Sequence, residues 1–477
     1  MPLRGTRLAA NLHQQPTRES KIAQSDFVKA LTAARNRYAD VHGATCAKLT
    51  TTPDANADPS RDARPLNHRA VVLSGGSMRG AFGAGFLLGL QDIGQLPDSP
   101  EVITGISTGA LQATFLFLAK QPVAADRTYE WLNPQVATMR SLPGSGRGQP
   151  LTKRSSQLGD LALAYSITAE KQILNRTHWS GLMGQFWYGS AGRLDPLRKR
   201  LMALISRETL RQVAVEACHG RVLLVGVTDF DDGYGYAIDM TELALDAYDG
   251  DASPKRIDAA RATYVSTLLA SSSVPGGAMP VTLRYRAIDV NGMNEGEATR
   301  EHMFIDGGAR YGVFLPNLSD GYDVTLLVNN GLAIEPATPG NPDLPTNKWS
   351  LYRMLERTAE DILETQVYQL SVGQVEYGAK TLRMAYLSGK QDMGGSPDMD
   401  APDDHIYDAK SCRDWFAQDK KTAKPLQFYP NYMACVIDYG RKRGNLMQWN
   451  LKSQAAPDAI KSAPLQTNSR IPLPLGQ

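Results

Sequence analysis

The sequence predicts an α/β protein built on a largely parallel central sheet. Three observations carry that prediction: short unbroken apolar runs, helical spacings that follow them, and glycine-rich junctions between the two. A strand covered by helices on both faces of a parallel sheet needs a continuous apolar run rather than an alternating one. Ala70-Val71-Val72-Leu73 is such a run, and it stops at Ser74-Gly75-Gly76. Phe82, Phe86, Leu87, Leu90 and Ile93 follow at helical intervals. Val102-Ile103 begins a second strand that stops at Gly105, and Ala110, Leu111, Thr114, Phe115 and Leu118 mark its successor helix. Two strand–helix pairs in about fifty residues make a right-handed parallel unit.

Further buried strands are expected at residues 221–228 and 322–328, with shorter ones at 234–240, 281–288 and 303–305. Together these define an α/β domain over residues 68–335. Residues 1–67 form an N-terminal extension. Phe27, Leu31, Ala34 and Tyr38 predict a helix over 20–44, and a Thr-, Pro- and Asp-rich linker runs on to His68. Residues 144–193 form an insertion, Gly-rich at first and then aromatic at Trp179, Phe186, Trp187 and Tyr188. Such rings suit either a lid at a lipid surface or a local core. Residues 336–477 form a C-terminal helical and irregular region. It opens on an amphipathic helix marked by Leu351, Leu355, Ile362, Val367 and Leu370.

Composition excludes several classes of function. The 51 basic and 49 acidic side chains of the 477-residue chain nearly balance, which argues against a nucleic-acid binder. Residues 1–15 carry Arg4 and Arg7 but no apolar core, so no signal peptide is expected. A cytoplasmic or peripheral-membrane location follows from that reading. The most apolar stretch, 102–119, is broken by Thr104, Gly105, Ser107, Thr108, Gly109 and Gln112. It is too short and too polar for a transmembrane span, so any lipid must be met from the water side. Cys46, Cys218, Cys412 and Cys435 match no metal-ligand spacing. Cys412 and Cys435 could pair in an oxidising compartment, and free buried thiols are the plainer reading. No metal or cofactor is expected.

Three segments bear chemistry, each at the end of an expected strand. Gly105-Ile106-Ser107-Thr108-Gly109 is a GxSxG at a strand-to-helix junction, where the glycines permit a tight turn. That turn would project Ser107 beside the positive end of a helix dipole. Ser74-Gly75-Gly76-Ser77-Met78-Arg79-Gly80 lies between another strand and helix, and successive backbone N–H groups there make an anion pocket. Arg79 adds positive potential or braces the loop. No Gly-Lys-Ser/Thr follows, so this is not a nucleotide-phosphate loop. Phe304-Ile305-Asp306-Gly307-Gly308 puts an aspartate at a strand end, on the same sheet edge as Ser107 if the strands are parallel. An ordinary carboxylate near pKa ~3.9 is a poor base for a hydroxyl. Asp306 can take the Ser107 proton only if the site desolvates it and absorbs the developing charge. Taken singly, each segment also has a purely structural explanation as a turn or cap.

Taken together and in this order, GGSMRG (75–80), GISTG (105–109) and DGG (306–308) resemble the patatin-like phospholipases. That family combines a Gly-rich oxyanion loop, a GxSxG nucleophile turn and a DGG/DGA aspartate. The resemblance covers about residues 68–335, including Leu194-Asp195-Pro196-Leu197 and the stretch 270–280. It implies a three-layer αβα fold and hydrolysis of fatty-acyl esters of phospholipids or related lipids at a membrane surface. Ser107 would be the nucleophile and Asp306 the base. Gly75, Gly76 and Ser77 would supply the oxyanion N–H groups, supported by Arg79 and Gly80, with Gly105 and Gly109 shaping the nucleophile turn. One departure is Ser77, which stands where the family has glycine. Two rival readings stay open at this level. One is a weak or inactive lipid- or protein-binding platform on the same fold. The other is a Ser-Asp-His esterase using His405, the one histidine downstream of Asp306, in what reads as a solvated loop. His302 sits too early on its strand to serve.

Overall fold

The computed structural model describes residues 3–7, 38, 41–50, 68–129, 156–165, 167, 170–176, 190–287, 300–315, 322–330, 358, 362–387, 402–422 and 429–453. The main elements in chain order begin with β1 (Leu3–Arg7), β2 (Arg69–Leu73), α1 (Gly80–Asp92), β3 (Val102–Ile106), α2 (Thr108–Phe117) and α3 (Gln157–Ala164). They continue with β4 (Val222–Asp229), β5 (Gly235–Asp239), α4 (Met240–Tyr248), α5 (Pro254–Ser271), β6 (Val281–Ala287) and β7 (Arg300–Asp306). The last are β8 (Tyr322–Val328), α6 (Glu364–Gly378), β9 (Ala379–Tyr386), α7 (Pro430–Asn445) and β10 (Leu451–Ser453).

These strands form a ten-stranded sheet in the order β7-β6-β1-β5-β4-β3-β2-β8-β9-β10. Its centre, from β4 through β3, β2 and β8 to β9, is parallel throughout, as the apolar runs predict. Every residue of β3 and β4 is buried, which requires a layer of helices on each face. The fold is therefore a three-layer α/β arrangement. Around β4 the order becomes antiparallel: β5 pairs antiparallel with β4, and β7 pairs antiparallel with both β6 and β4.

Two regions read as extensions contribute to the sheet. β1 lies between β5 and β6, paired antiparallel to the first and parallel to the second. Its sequence, LRGTR, has no apolar run to announce it. Of the helix expected at 20–44, residues 20–37, 39 and 40 lie outside the described residues, while Tyr38 and residues 41–50 are helical. Beyond residue 335 the sheet continues: β9 pairs parallel with β8, and β10 pairs antiparallel with β9. The aromatic segment 179–188 lies outside the described residues.

Helix α1 is buried from Gly80 to Leu90, so it needs a cover on the side away from the sheet. α7 supplies it through mutual glycines. Gly85 and Gly89 lie against the carbonyls of Ile437 and Arg441, and Gly440 and Gly444 lie against those of Phe82 and Phe86. A side chain at any of the four would push the helices apart. The C-terminal region thus completes one helical layer of the domain.

The cysteines correct the sequence reading. Free thiols were the plainer expectation, yet Cys46 is bridged to Cys218 and Cys412 to Cys435. The first bridge spans 172 residues and joins the 41–50 helix to the end of the helix Arg207–Cys218. Sequence spacing could not find that pairing because its partners meet only in the folded chain. The second bridge folds the 402–411 loop onto α7 and buries His405, which was expected to be solvated. The His405 Nε2 lies 2.8 Å from Asp438 Oδ2, and its carbonyl accepts from the Cys412 N–H.

Candidate active site

The GxSxG turn is shaped by what its glycines must approach. A Cβ on Gly105 would meet the Gly109 carbonyl at 2.5 Å, and one on Gly109 would meet the carbonyls of Leu73 and Ser74 at the end of β2. Between them Ser107 adopts φ 53°, ψ −123°, a conformation L-residues avoid. The surroundings hold it there. The Ser107 N–H donates to Ser271 Oγ (2.9 Å), whose own hydroxyl donates to the Gly226 carbonyl (2.7 Å). The Ser107 carbonyl accepts from Ala110 N–H, opening α2. Its side chain therefore stands at the N-terminus of α2, and the residue is only 7% exposed.

Asp306 reaches the same place by a route other than the parallel strand that was expected. β7 runs antiparallel to β4, with Asp306 opposite Val227. β4 runs parallel to β3, with Gly226 opposite Ile106. Asp306 thus faces the residue next to the one that pairs with Ile106, which brings the end of β7 level with Ser107. What delivers the carboxyl is where β7 stops. The Asp306 N–H donates to the Ser273 carbonyl (3.0 Å), and its Oδ1 accepts from the Gly308 N–H (2.7 Å). Gly307 has no room for a side chain between the Gly226 carbonyl and Ile106.

Burial pushes the Asp306 carboxyl up to about 7, against the opposing pull of hydrogen bonds from the Ser107 side chain and the Gly308 N–H. Asp306 thereby gains the basicity that an ordinary carboxylate lacks at neutral pH.

The third segment forms a left-handed corner. Gly76 has φ 138° and Ser77 φ 49°. A Cβ on Gly76 would lie 2.9 Å from the Asn329 side chain, so glycine is required there. At Ser77 the positive φ is carried by a serine, with the strain that glycine would not feel. The five loop residues have different tasks. The Gly75 N–H is spent on the Gly312 carbonyl (3.3 Å), and the Gly80 N–H is spent on Met78 and Ser77 carbonyls. The N–H groups of Gly76 and Ser77 have no hydrogen-bond partner among the described residues. Arg79 is exposed and donates to Asn330 Oδ1, so it braces the loop against the end of β8. Gly80 packs against Thr108 and the hydroxyl of Tyr165, where a side chain would collide.

Several supporting residues were not singled out from sequence. Asn329 ties the loop to α1: its Nδ2 donates to the Ser74 carbonyl (2.8 Å) and its Oδ1 accepts from the Gly83 N–H (3.0 Å). Ser271 and Ser273 lie in the 270–280 stretch noticed only as a likeness. Tyr368, 1% exposed on α6, places its hydroxyl over Gly75, and α6 also holds Gly312 through Ser371 Oγ (3.1 Å). Polar residues at strand ends and one tyrosine on an amphipathic helix are too common to signal a site by themselves. His405 does not join these groups. Its ring engages Asp438 and lies tilted against Tyr439 with ring centres 5.6 Å apart, both residues being on α7. His302 engages Asp229 at 2.6 Å.

A family model described as patatin-like phospholipase matches residues 71–318, a little over half of the chain. Among solved structures, VipD from Legionella pneumophila aligns at 15% identity with a TM-score of 0.25. That alignment covers 57% of this chain and 51% of VipD, so the chain spans about half of that protein's length. No curated protein matches the chain.

Proposed function

Because this chain belongs to the patatin-like phospholipase family, whose activity is lipid acyl hydrolysis, we propose that Ser107 and Asp306 are its catalytic dyad. The substrate class is fatty-acyl esters of phospholipids or related lipids. The observation that carries the reading is the convergence of Ser107, held at φ 53° at the start of α2, with the buried Asp306 at the end of β7, whose carboxyl burial pushes up to about 7.

Asp306 takes the Ser107 hydroxyl proton as Oγ attacks the ester carbonyl. The carbonyl oxygen becomes a tetrahedral oxyanion, which accepts hydrogen bonds from the N–H groups of Gly76 and Ser77. Each such donor is worth about 3–4 kcal/mol of activation energy. Collapse expels the alcohol, to which Asp306 returns the proton, and leaves the fatty acyl group on Oγ. Water then attacks the acyl-enzyme with Asp306 again as base, releasing the fatty acid and restoring Ser107. Gly75 and Gly80 act by making room, because their own N–H groups are committed elsewhere. Among the described residues no helix is long and apolar enough to cross a membrane, and the lipid is met at the membrane surface.

The test is fatty-acid release from mixed phospholipid vesicles, read by mass spectrometry, for the wild type and Ser107→Ala. Release by the wild type alone supports the dyad. Equal release by both removes Ser107 as nucleophile. Lipid binding without turnover by either protein favours the binding platform.

A further inference from the structure

We propose that His42, Glu242 and Asp246 form a site for a divalent transition-metal ion of the zinc class, which ties the N-terminal helix to α4. His42 lies on the helical segment 41–50, and Glu242 and Asp246 stand four residues apart on one face of α4. The His Nε2 and one oxygen of each carboxylate all lie within 4.8 Å of one another.

The distances favour a bridging ion over direct hydrogen bonds. His42 is 1% exposed, and among the described residues neither of its ring nitrogens has a hydrogen-bond partner. Its Nε2 stands 3.5 Å from Glu242 Oε1 and 3.8 Å from Asp246 Oδ1. A charge-assisted N–H···O bond would close to about 2.7–2.9 Å. Ligands on a tetrahedral zinc with bonds of about 2.0–2.1 Å sit about 3.3 Å apart. The observed gaps are thus nearer to those across a metal than to those across a proton. One imidazole with two carboxylates is also a donor set that zinc-class ions accept.

Charge points the same way. Asp249 Oδ2 lies 3.8 Å from His42 Nδ1, so three carboxylates, Glu242, Asp246 and Asp249, stand within 3.8 Å of one imidazole, a concentration of negative charge that attracts a dication. Arg256 approaches by donating to the Asp246 main-chain carbonyl. A second triad, Asp229, Asp232 and His302, supplies the contrast. There His302 Nδ1 closes to 2.6 Å on Asp229, and the hydroxyls of Tyr285 and Tyr236 donate to Asp229 and Asp232. That triad is satisfied by hydrogen bonds and asks for no ion.

The consequence is mechanical. The 41–50 helix is also held by the Cys46–Cys218 bridge and by Thr45 Oγ1 donating to Asp249 Oδ1 (2.8 Å). A metal would add a cross-link one helical turn from the disulfide, and one that does not depend on oxidation.

The experiment uses the full chain, stripped with chelator under non-reducing conditions and titrated with Zn²⁺ by calorimetry. Bound metal is counted after gel filtration, and Co²⁺ substitution reads the ligand type. The wild type should bind one Zn²⁺ and melt at a higher temperature with it. Its Co²⁺ form should show d–d bands without thiolate charge transfer. His42→Gln and Asp246→Asn should each weaken binding by at least about 10-fold. Asp246 is 26% exposed, so its variant remains informative if His42→Gln does not fold. A wild type that takes up no Zn²⁺, or variants that bind as the wild type does, would overturn the proposal.

Discussion

Replacing Asp306 with asparagine keeps the shape of its turn and removes a carboxyl that burial has pushed up from 3.8 to about 7. Between those values the folded protein holds a proton that the unfolded chain has released. The stabilisation from this linkage is complete below the lower value and is lost as pH rises through the upper one. The full shift of roughly 3 units corresponds to about 4 kcal/mol, at about 1.4 kcal/mol per unit. From pH 5 to pH 8 the wild type should lose about 3 kcal/mol that Asp306→Asn, having nothing to titrate, retains. For a chain of this length, that is a relative change in melting temperature of roughly 3 °C. Thermal melts of both proteins across that range measure it. The comparison across pH cancels whatever the amide itself does to the hydrogen bonds with Ser107 and Gly308. A melting difference that stays flat from pH 5 to pH 8 would refute the raised carboxyl. The same titration governs turnover: wild-type kcat/KM should climb about tenfold per unit below pH 7 and level off above it, with Asp306→Asn down about 10²–10⁴-fold.

Three further outcomes follow from the same geometry. Ser77→Gly relieves a serine held at φ 49°, and should raise stability by about 1 kcal/mol with activity at or above wild type; a lower melting temperature would contradict the strain. Gly76→Ala drives a methyl against Asn329 at φ 138°, and should cost about 1–3 kcal/mol of stability. It should also lower kcat about 10²–10³-fold by moving the N–H groups, so wild-type kcat in this variant would exclude the corner from catalysis. Cys46→Ser opens a bridge spanning 172 residues and should cost about 2–5 kcal/mol in chemical denaturation, whereas four free thiols in the denatured, unreduced wild type would show that no bridge forms.

The parts of the fold that the sequence made legible are those where local chemistry and final environment agree. β2, β3, β4 and β8 are apolar because both faces of the sheet are covered, and each ends close to its expected position. The segments around Ser107 and Asp306 stood out because tight turns leave glycine on the page. What stayed hidden is decided by tertiary contact. The direction of β7 depends on its pairing with β4 and β6, and no residue within 300–306 encodes it. β9, AKTLRMAY, alternates only weakly, and it enters the sheet because β8 offers a free edge. α7 lies in a stretch that reads as irregular, and the helix at Pro430–Asn445 makes sense only once Gly440 and Gly444 are set against Gly85 and Gly89. Tyr368 and Asn329 support the loop from distant positions in the chain, so no motif spacing could include them.

The central claim is that Ser107 forms the acyl-enzyme. The most direct measurement is the intact mass of the protein after exposure to a long-chain fluorophosphonate, followed by peptide mapping. A single adduct on the peptide carrying Ser107, absent from Ser107→Ala and much slower in Asp306→Asn, is the predicted result. An adduct on another residue, or equal labelling of the wild type and Ser107→Ala, would contradict it.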